Sequence, residues 1–136
     1  MYKTVLFLCT GNSCRSQMAE AITNARHADR WRAVSAGTRP AGFVHPLALA
    51  ALREIGIEHQ GVSKSIESLP TREFDLVVTV CDSAAEECPL WLGKGKRIHS
   101  GFVDPAAAAG TDEQKLAVFR RVRDEMVSRL EELLGE

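Results

Sequence analysis

The stretch Thr4-Val5-Leu6-Phe7-Leu8-Cys9-Thr10-Gly11-Asn12-Ser13-Cys14-Arg15-Ser16 decides the reading of this chain. An apolar run of this kind predicts a strand buried on both faces, and the helical pattern that starts at Ser16 predicts a strand–loop–helix junction. In the spacing Cys-x5-Arg-Ser, one turn of loop backbone separates a sulfur nucleophile from a guanidinium. The amides of Thr10, Gly11, Asn12, Ser13, Cys14 and Arg15, with the positive end of the following helix, form a site for a tetrahedral oxyanion. The same field favours the thiolate of Cys9. An anion cradle with a reactive sulfur at its floor implies chemistry on phosphate or a phosphate look-alike. A turn with a buried cysteine explains each residue singly but not their common register.

Outward from this loop, strand and helix patterns alternate. Ser16 opens a helix with Met18, Ile22 and Ala25 on one face, ending near Ala28. Residues 31–35 read as a second strand, stopped by Gly37. Pro46 stands in the first turn of a helix with Leu47, Ala51, Leu52 and Ile55 inward, closed by Gly56. Residues 76–80 are a third strand and residues 96–100 a short fourth. Leu116, Phe119, Val122, Met126, Leu130, Leu133 and Leu134 mark the apolar stripe of a long final helix. The prediction is a single α/β domain over residues 1–136: a doubly wound, mostly parallel four-stranded sheet with helices on both faces. Ligands of such sheets bind beyond the carboxyl ends of the strands, where strand order reverses. The loop that begins at Cys9 stands at such a position.

The balance of 17 basic and 18 acidic residues argues against a nucleic-acid or polybasic membrane partner. The N-terminal apolar run is too short for a signal peptide, and no stretch reaches membrane-spanning length. These features predict a cytoplasmic protein with its four cysteines initially reduced, and a monomer, since no second apolar face is evident. Spacings of Cys-x4-Cys and Cys-x6-Cys do not suit structural zinc, and Arg15 opposes a cation, so no metal is expected. His27, His45, His59 and His99 show no ligand spacing and read as surface or capping residues. Cys81 ends the third strand as Cys9 ends the first; if those strands are neighbours, the spacing approaches disulfide range. Between Cys81 and Cys88 lie six small or charged residues, a segment suited to changing conformation with redox state.

With these motifs the chain resembles the thioredoxin-coupled arsenate reductases, built on the low-molecular-weight protein tyrosine phosphatase fold, a flavodoxin-like arrangement. The resemblance is carried by residues 9–16, Gln17-Met18-Ala19-Glu20, Ser35-Ala36-Gly37, residues 76–81, Cys88-Pro89, Gly101-Phe102, Asp104-Pro105-Ala106 and residues 119–125. Cys81 and Cys88 separate reductase from phosphatase. So does Ala106-Ala107-Ala108-Ala109, where phosphatases of this fold carry tyrosines to grip an aromatic substrate; here the only tyrosine is Tyr2.

The resemblance implies that arsenate is held by the loop and Arg15, with phosphate and sulfate as competitors. It implies that Cys9 attacks arsenic and Asp104 protonates the departing oxygen. It then implies a disulfide between Cys9 and Cys81, followed by one between Cys81 and Cys88. No cofactor is bound; electrons come from thioredoxin, and so from NADPH through thioredoxin reductase, with glutaredoxin or a small thiol left open as donor. Ser16 serves the Cys9 sulfur, caps the helix, or both. Cys14 reads as a packing residue or an accidental oxidation partner. Some relatives bind potassium at positions matching Asn12, Glu20 and Ser35 plus an acid where Lys64 stands here. Lys64 either neutralises Glu20 internally, removing the need for potassium, or is simply solvated. Ser100 replaces an aromatic residue common in relatives. The competing functions are a phosphotyrosine or phosphomonoester phosphatase and a redox-sensing or anion-binding module; the latter needs neither a nucleophile nor an acid.

Overall fold

Val5, Leu6, Phe7 and Leu8 are completely shielded from solvent, which sets their strand at the centre of the sheet. The computed structural model describes residues 2–82, 91 and 93–135. Its elements are β1 (Lys3–Cys9), α1 (Arg15–Arg26), β2 (Trp31–Gly37), α2 (Pro46–Arg53), β3 (Glu73–Thr79), β4 (Lys94–His99) and α3 (Asp112–Leu134). Single 3-10 turns lie at Ile66–Ser68 and Pro105–Ala107. All pairings are parallel, in the order β2-β1-β3-β4. Strand order therefore reverses between β1 and β3, and Cys9 closes β1 at that point, where such sheets bind ligands.

Alternation along β1 divides the core. Val5, Phe7 and Cys9 face a cluster built with Met18 and Ile22 of α1, Leu52 of α2, and Phe119, Met126 and Leu130 of α3. Leu6 and Leu8 face the other side, where Phe74, Val77, Trp91 and the turn at Ile66 cover the sheet. The described α-helices thus share one face, and the connection from β2 to β3, after α2, covers the opposite face through the 3-10 turn. Trp31 Nε1 donates to Leu134 O at 3.1 Å, tying the last turn of α3 to the start of β2. The exposed β4 edge carries Lys94, Lys96 and Arg97, charges that discourage pairing with another chain.

The α/β fold with a four-stranded parallel sheet is as expected, but the described α-helices lie on one face of it, with only the 3-10 turn at Ile66–Ser68 on the other, and several boundaries differ. α1 begins at Arg15, one residue before Ser16. β3 begins at Glu73 because Phe74 is buried between exposed Glu73 and Asp75, an alternation rather than a continuous apolar run. Asp75 is held in the strand by Thr4, whose backbone N–H donates to Asp75 Oδ2 at 2.7 Å.

Candidate active site

The loop after β1 has its carbonyls tied down from outside. Thr10 O accepts from Arg39 N at 2.9 Å, Gly11 O from Ala41 N at 2.8 Å, and Ser13 O from His45 N at 3.1 Å. Gly11 O also accepts from Ser63 Oγ at 3.1 Å, and Asn12 O from Gln17 Nε2 at 3.2 Å. Cys14 O begins the helix ladder with Met18 N at 2.8 Å. A peptide's N–H points away from its C=O, so anchoring the carbonyls outward turns the amides inward as an anion nest. Asn12 makes the turn at φ 47°, left-handed backbone for a non-glycine residue. Its Oδ1 accepts from Lys64 N at 2.9 Å and Gln17 Nε2 at 3.0 Å, which offsets the strain. Beside it Gly37 is required: a Cβ there would lie 2.4 Å from Thr10 O.

Cys9 Sγ lies at the floor, with Asn12 N donating to it at 3.2 Å and Ser16 Oγ at 2.8 Å. Asn12 Nδ2 donates to Ser16 Oγ at 2.8 Å, and toward a Cys9 thiolate, which can only accept, the hydroxyl supplies its own hydrogen. Ser16 is not the N-cap of α1: Cys14 occupies that position, and its side chain makes no capping hydrogen bond. No acidic residue stands in the first turn, so no side-chain charge there opposes an anion at the positive end of the helix.

Arg15 is buried, donating from Nη1 to Phe102 O at 3.3 Å, with Nη2 3.8 Å from Asp104 Oδ2. Asp104 Oδ1 accepts from Ala106 N at 3.0 Å, which fixes the carboxyl group while Oδ2 stays on the guanidinium side. Cys9, Arg15 and Asp104 line one cavity of about 230 Å³, walled also by Phe43, His45 and Ala106. Phe43 and His45 were not among the predicted site residues. His45 is a capping residue as expected, its Nδ1 accepting from Leu47 N at 3.1 Å at the start of α2. Burial, the largest influence, holds its pKa below the ordinary 6.5.

Cys81 is fully buried next to this site. Leu8 pairs with Thr79 and Val80 N donates to Leu8 O, which sets Val80 opposite Cys9 and Cys81 one residue beyond. Cys81 is held in a disulfide, whereas Cys9 and Cys14 are free thiols. Burial pushes the Cys14 thiol up to about 12, with nearby Asp104 adding to the effect. Cys14 packs in the helix-side cluster, as a packing residue should. Cys88 lies outside the described residues, as does the segment expected to change conformation.

The positions matching a potassium site are brought together behind the loop. Ser35 Oγ donates to Glu20 Oε1 at 2.8 Å, and Lys64 Nζ stands 3.8 Å from the same oxygen while donating to Val62 O at 3.1 Å. Lys64 is therefore turned toward Glu20, at ion-pair distance. His59 joins this group, 3.9 Å from Glu20 Oε2 and 2.8 Å from Gln17 Oε1. That overturns its reading as a surface or capping residue: its side chain is only 8 % exposed. Ser100 is buried, its hydroxyl accepting from Arg129 Nε at 3.1 Å. Among the described residues no cluster of three His, Cys, Asp or Glu side chains is placed to hold a metal, and no helix is long and apolar enough to cross a membrane.

Comparison with known proteins matches residues 4–136 to the low molecular weight phosphotyrosine protein phosphatase family. An arsenate reductase of Halalkalibacterium halodurans is 50 % identical over 129 residues, spanning 94 % of this chain and 92 % of that one. One from Bacillus subtilis is 48 % identical over 131 residues, spanning 96 % and 94 %. The crystal structure of an arsenate reductase from Archaeoglobus fulgidus superposes with a TM-score of 0.76 at 35 % identity, covering 97 % of this chain and 99 % of that one.

Proposed function

This chain belongs to the low-molecular-weight phosphotyrosine protein phosphatase family, among its arsenate reductases, and we propose that it reduces arsenate to arsenite by a relay through Cys9, Cys81 and Cys88. The observation that carries the reading is the floor of the nest. There a sulfur with two hydrogen-bond donors lies in one cavity with a buried guanidinium and a carboxyl group.

Arsenate oxygens take the inward amides and the planar fork of Arg15. The Cys9 thiolate attacks arsenic, an As–O bond breaks, and Asp104 gives the leaving oxygen a proton, so that it departs as water. The product is a sulfur–arsenic(V) adduct. The Cys81 thiolate attacks Cys9 Sγ; the S–As pair stays on arsenic, which leaves as arsenite, reduced by two electrons. Cys9 and Cys81 are then joined. Attack of Cys88 on Cys81 frees Cys9 as thiolate and leaves the disulfide between Cys81 and Cys88, which a dithiol partner reduces.

The partner is thioredoxin, with electrons from NADPH through thioredoxin reductase, and the enzyme acts as a cytoplasmic monomer with no bound cofactor. The test is arsenite formation from arsenate with that reducing system, comparing the wild type with Cys88→Ala. Continuous turnover by the wild type and a stop after about one equivalent in the variant support the relay. Hydrolysis of a phosphomonoester by both, without arsenite, makes the chain a phosphatase. The exposed Phe43 ring at the cavity wall favours some such activity, being an aromatic surface where a phenyl phosphate can rest.

A further inference from the structure

Gln17 is fully buried on α1, and its side-chain amide is polarised by its surroundings. One end lies 3.2 Å from Asn12 O, 3.0 Å from Asn12 Oδ1 and 3.0 Å from Val62 O. Three oxygens around one end require the NH2 group there, so Oε1 faces the opposite way, 2.8 Å from His59 Nε2. A carbonyl oxygen only accepts, so His59 carries a proton on Nε2 and donates it. Neutral and charged imidazole can both do this. Gly61 keeps the space for the contact: a Cβ there would lie 2.2 Å from Gln17 Oε1 and 2.3 Å from His59 Nε2. Glu20 and Lys64 complete the surroundings of the ring.

We infer that His59 is a positioning residue for the oxyanion loop: by donating to Gln17 Oε1 it anchors the far end of the Gln17 amide, and so keeps its NH2 group on the Asn12 oxygens and Asn12 in the left-handed turn that directs the loop amides inward. The inference rests on the loop being an anion cradle, not on what becomes of the anion. Without the donor, Gln17 Oε1 is buried and unpaired, and a shift of the side chain to seek another partner draws its NH2 group off the Asn12 oxygens. The loop then samples turns in which its N–H groups no longer converge. His59 touches no reacting atom; it acts two side chains away.

The experiment measures protection of Cys9 from iodoacetamide by inorganic phosphate in the reduced full-length chain, read by mass spectrometry of the Cys9 peptide. His59→Ala is expected to weaken the apparent phosphate affinity by roughly fivefold to tenfold, the scale of one lost buried hydrogen bond. His59→Gln retains an N–H donor and is expected to stay within about twofold of the wild type. Gly61→Ala keeps the imidazole but displaces it, and is expected to reproduce the His59→Ala loss. It also serves if His59→Ala fails to fold. Unchanged phosphate affinity in His59→Ala, or in Gly61→Ala where that is the folded variant, overturns the inference, even with a lowered melting temperature. If phosphate does not protect Cys9 in the wild type, the cradle itself is refuted and the inference falls with it. An arsenate-reduction failure alone touches neither.

Discussion

Ser16→Ala isolates what the hydroxyl on the Cys9 sulfur contributes. Two donors serve Sγ, Ser16 at 2.8 Å and Asn12 N at 3.2 Å, and the substitution removes the shorter. A hydrogen bond to a charged group contributes about 1.5–3 kcal/mol, so the rate of Cys9 attack should fall by roughly 10-fold to 150-fold. The same hydroxyl accepts from Asn12 Nδ2 inside a fully buried site. Loss of that acceptor costs about 1–3 kcal/mol of stability, a melting point lower by roughly 3–10 °C for a chain of this size. The first quantity is read by rapid-quench measurement of the first equivalent of arsenite, which excludes the later disulfide exchanges. The second is read by thermal unfolding of the reduced protein. A variant that melts early yet releases its first arsenite within threefold of the wild-type rate refutes the assignment. In that case the hydroxyl serves Asn12 alone and the backbone amide suffices for the sulfur.

Asp104→Asn keeps the bond to Ala106 N but removes the proton donor, and should lower single-turnover arsenite formation by about 10²–10⁴-fold; a loss below threefold excludes Asp104 as the acid. With Lys64 already turned toward Glu20, replacing sodium by potassium at constant ionic strength should change kcat/KM by less than about twofold, and several-fold activation contradicts an internal ammonium. Glu54 is held from its ordinary 4.5 down to about 2, chiefly by the hydrogen bond from Arg120 and also by that from Arg123. A depressed carboxylate stabilises the fold above the unfolded-state value and loses that effect as pH falls through the folded one. Glu54→Gln should therefore melt below the wild type at pH 7 and converge with it as the pH falls from 4.5 to 2; a gap independent of pH refutes the ion-pair origin. Because burial pushes Cys14 up to about 12, iodoacetamide at pH 8 should label Cys9 and spare Cys14, and equal labelling counts against that burial.

The central strand, the cradle and the long last helix were legible because each is a local pattern: a run, a spacing, a periodic stripe. The strap over the loop was not. Arg39, Ala41 and His45 hold the loop carbonyls through backbone N–H groups, which any residue but proline supplies, so side-chain identity carries no signal. His59 was misread for a different reason. Its partner Gln17 is 42 positions away, and only the packing of α1 against the chain entering the 3-10 turn makes an imidazole the donor to a buried amide. Ser16 was legible in part: its polar type at the junction pointed both to the sulfur and to a cap. The fold answers by starting α1 at Arg15, which leaves the hydroxyl inside the first turn.

The cradle cannot by itself separate arsenate from phosphate, since both present oxygens of the same charge in a tetrahedron to the same amides. What separates the outcomes is the step after the bond to sulfur forms, and that step turns on the register of β1 against β3. Cys81 stands one residue past the position opposite Cys9. Ideal parallel strands about 4.8 Å apart, with a rise of about 3.3 Å per residue, would put two such Cα atoms about 5.8 Å apart, inside disulfide range. Val80 shares the helix-side cluster with Cys9. In the proposed relay the Cys81 sulfur then strikes Cys9. A phosphoryl adduct gains nothing from that attack and waits for water. An arsenic(V) adduct is discharged by it, because arsenic keeps the electron pair. In the proposed relay the partition between hydrolysis and reduction thus depends on how readily the Cys81 sulfur reaches Cys9, and not on how tightly the anion is held.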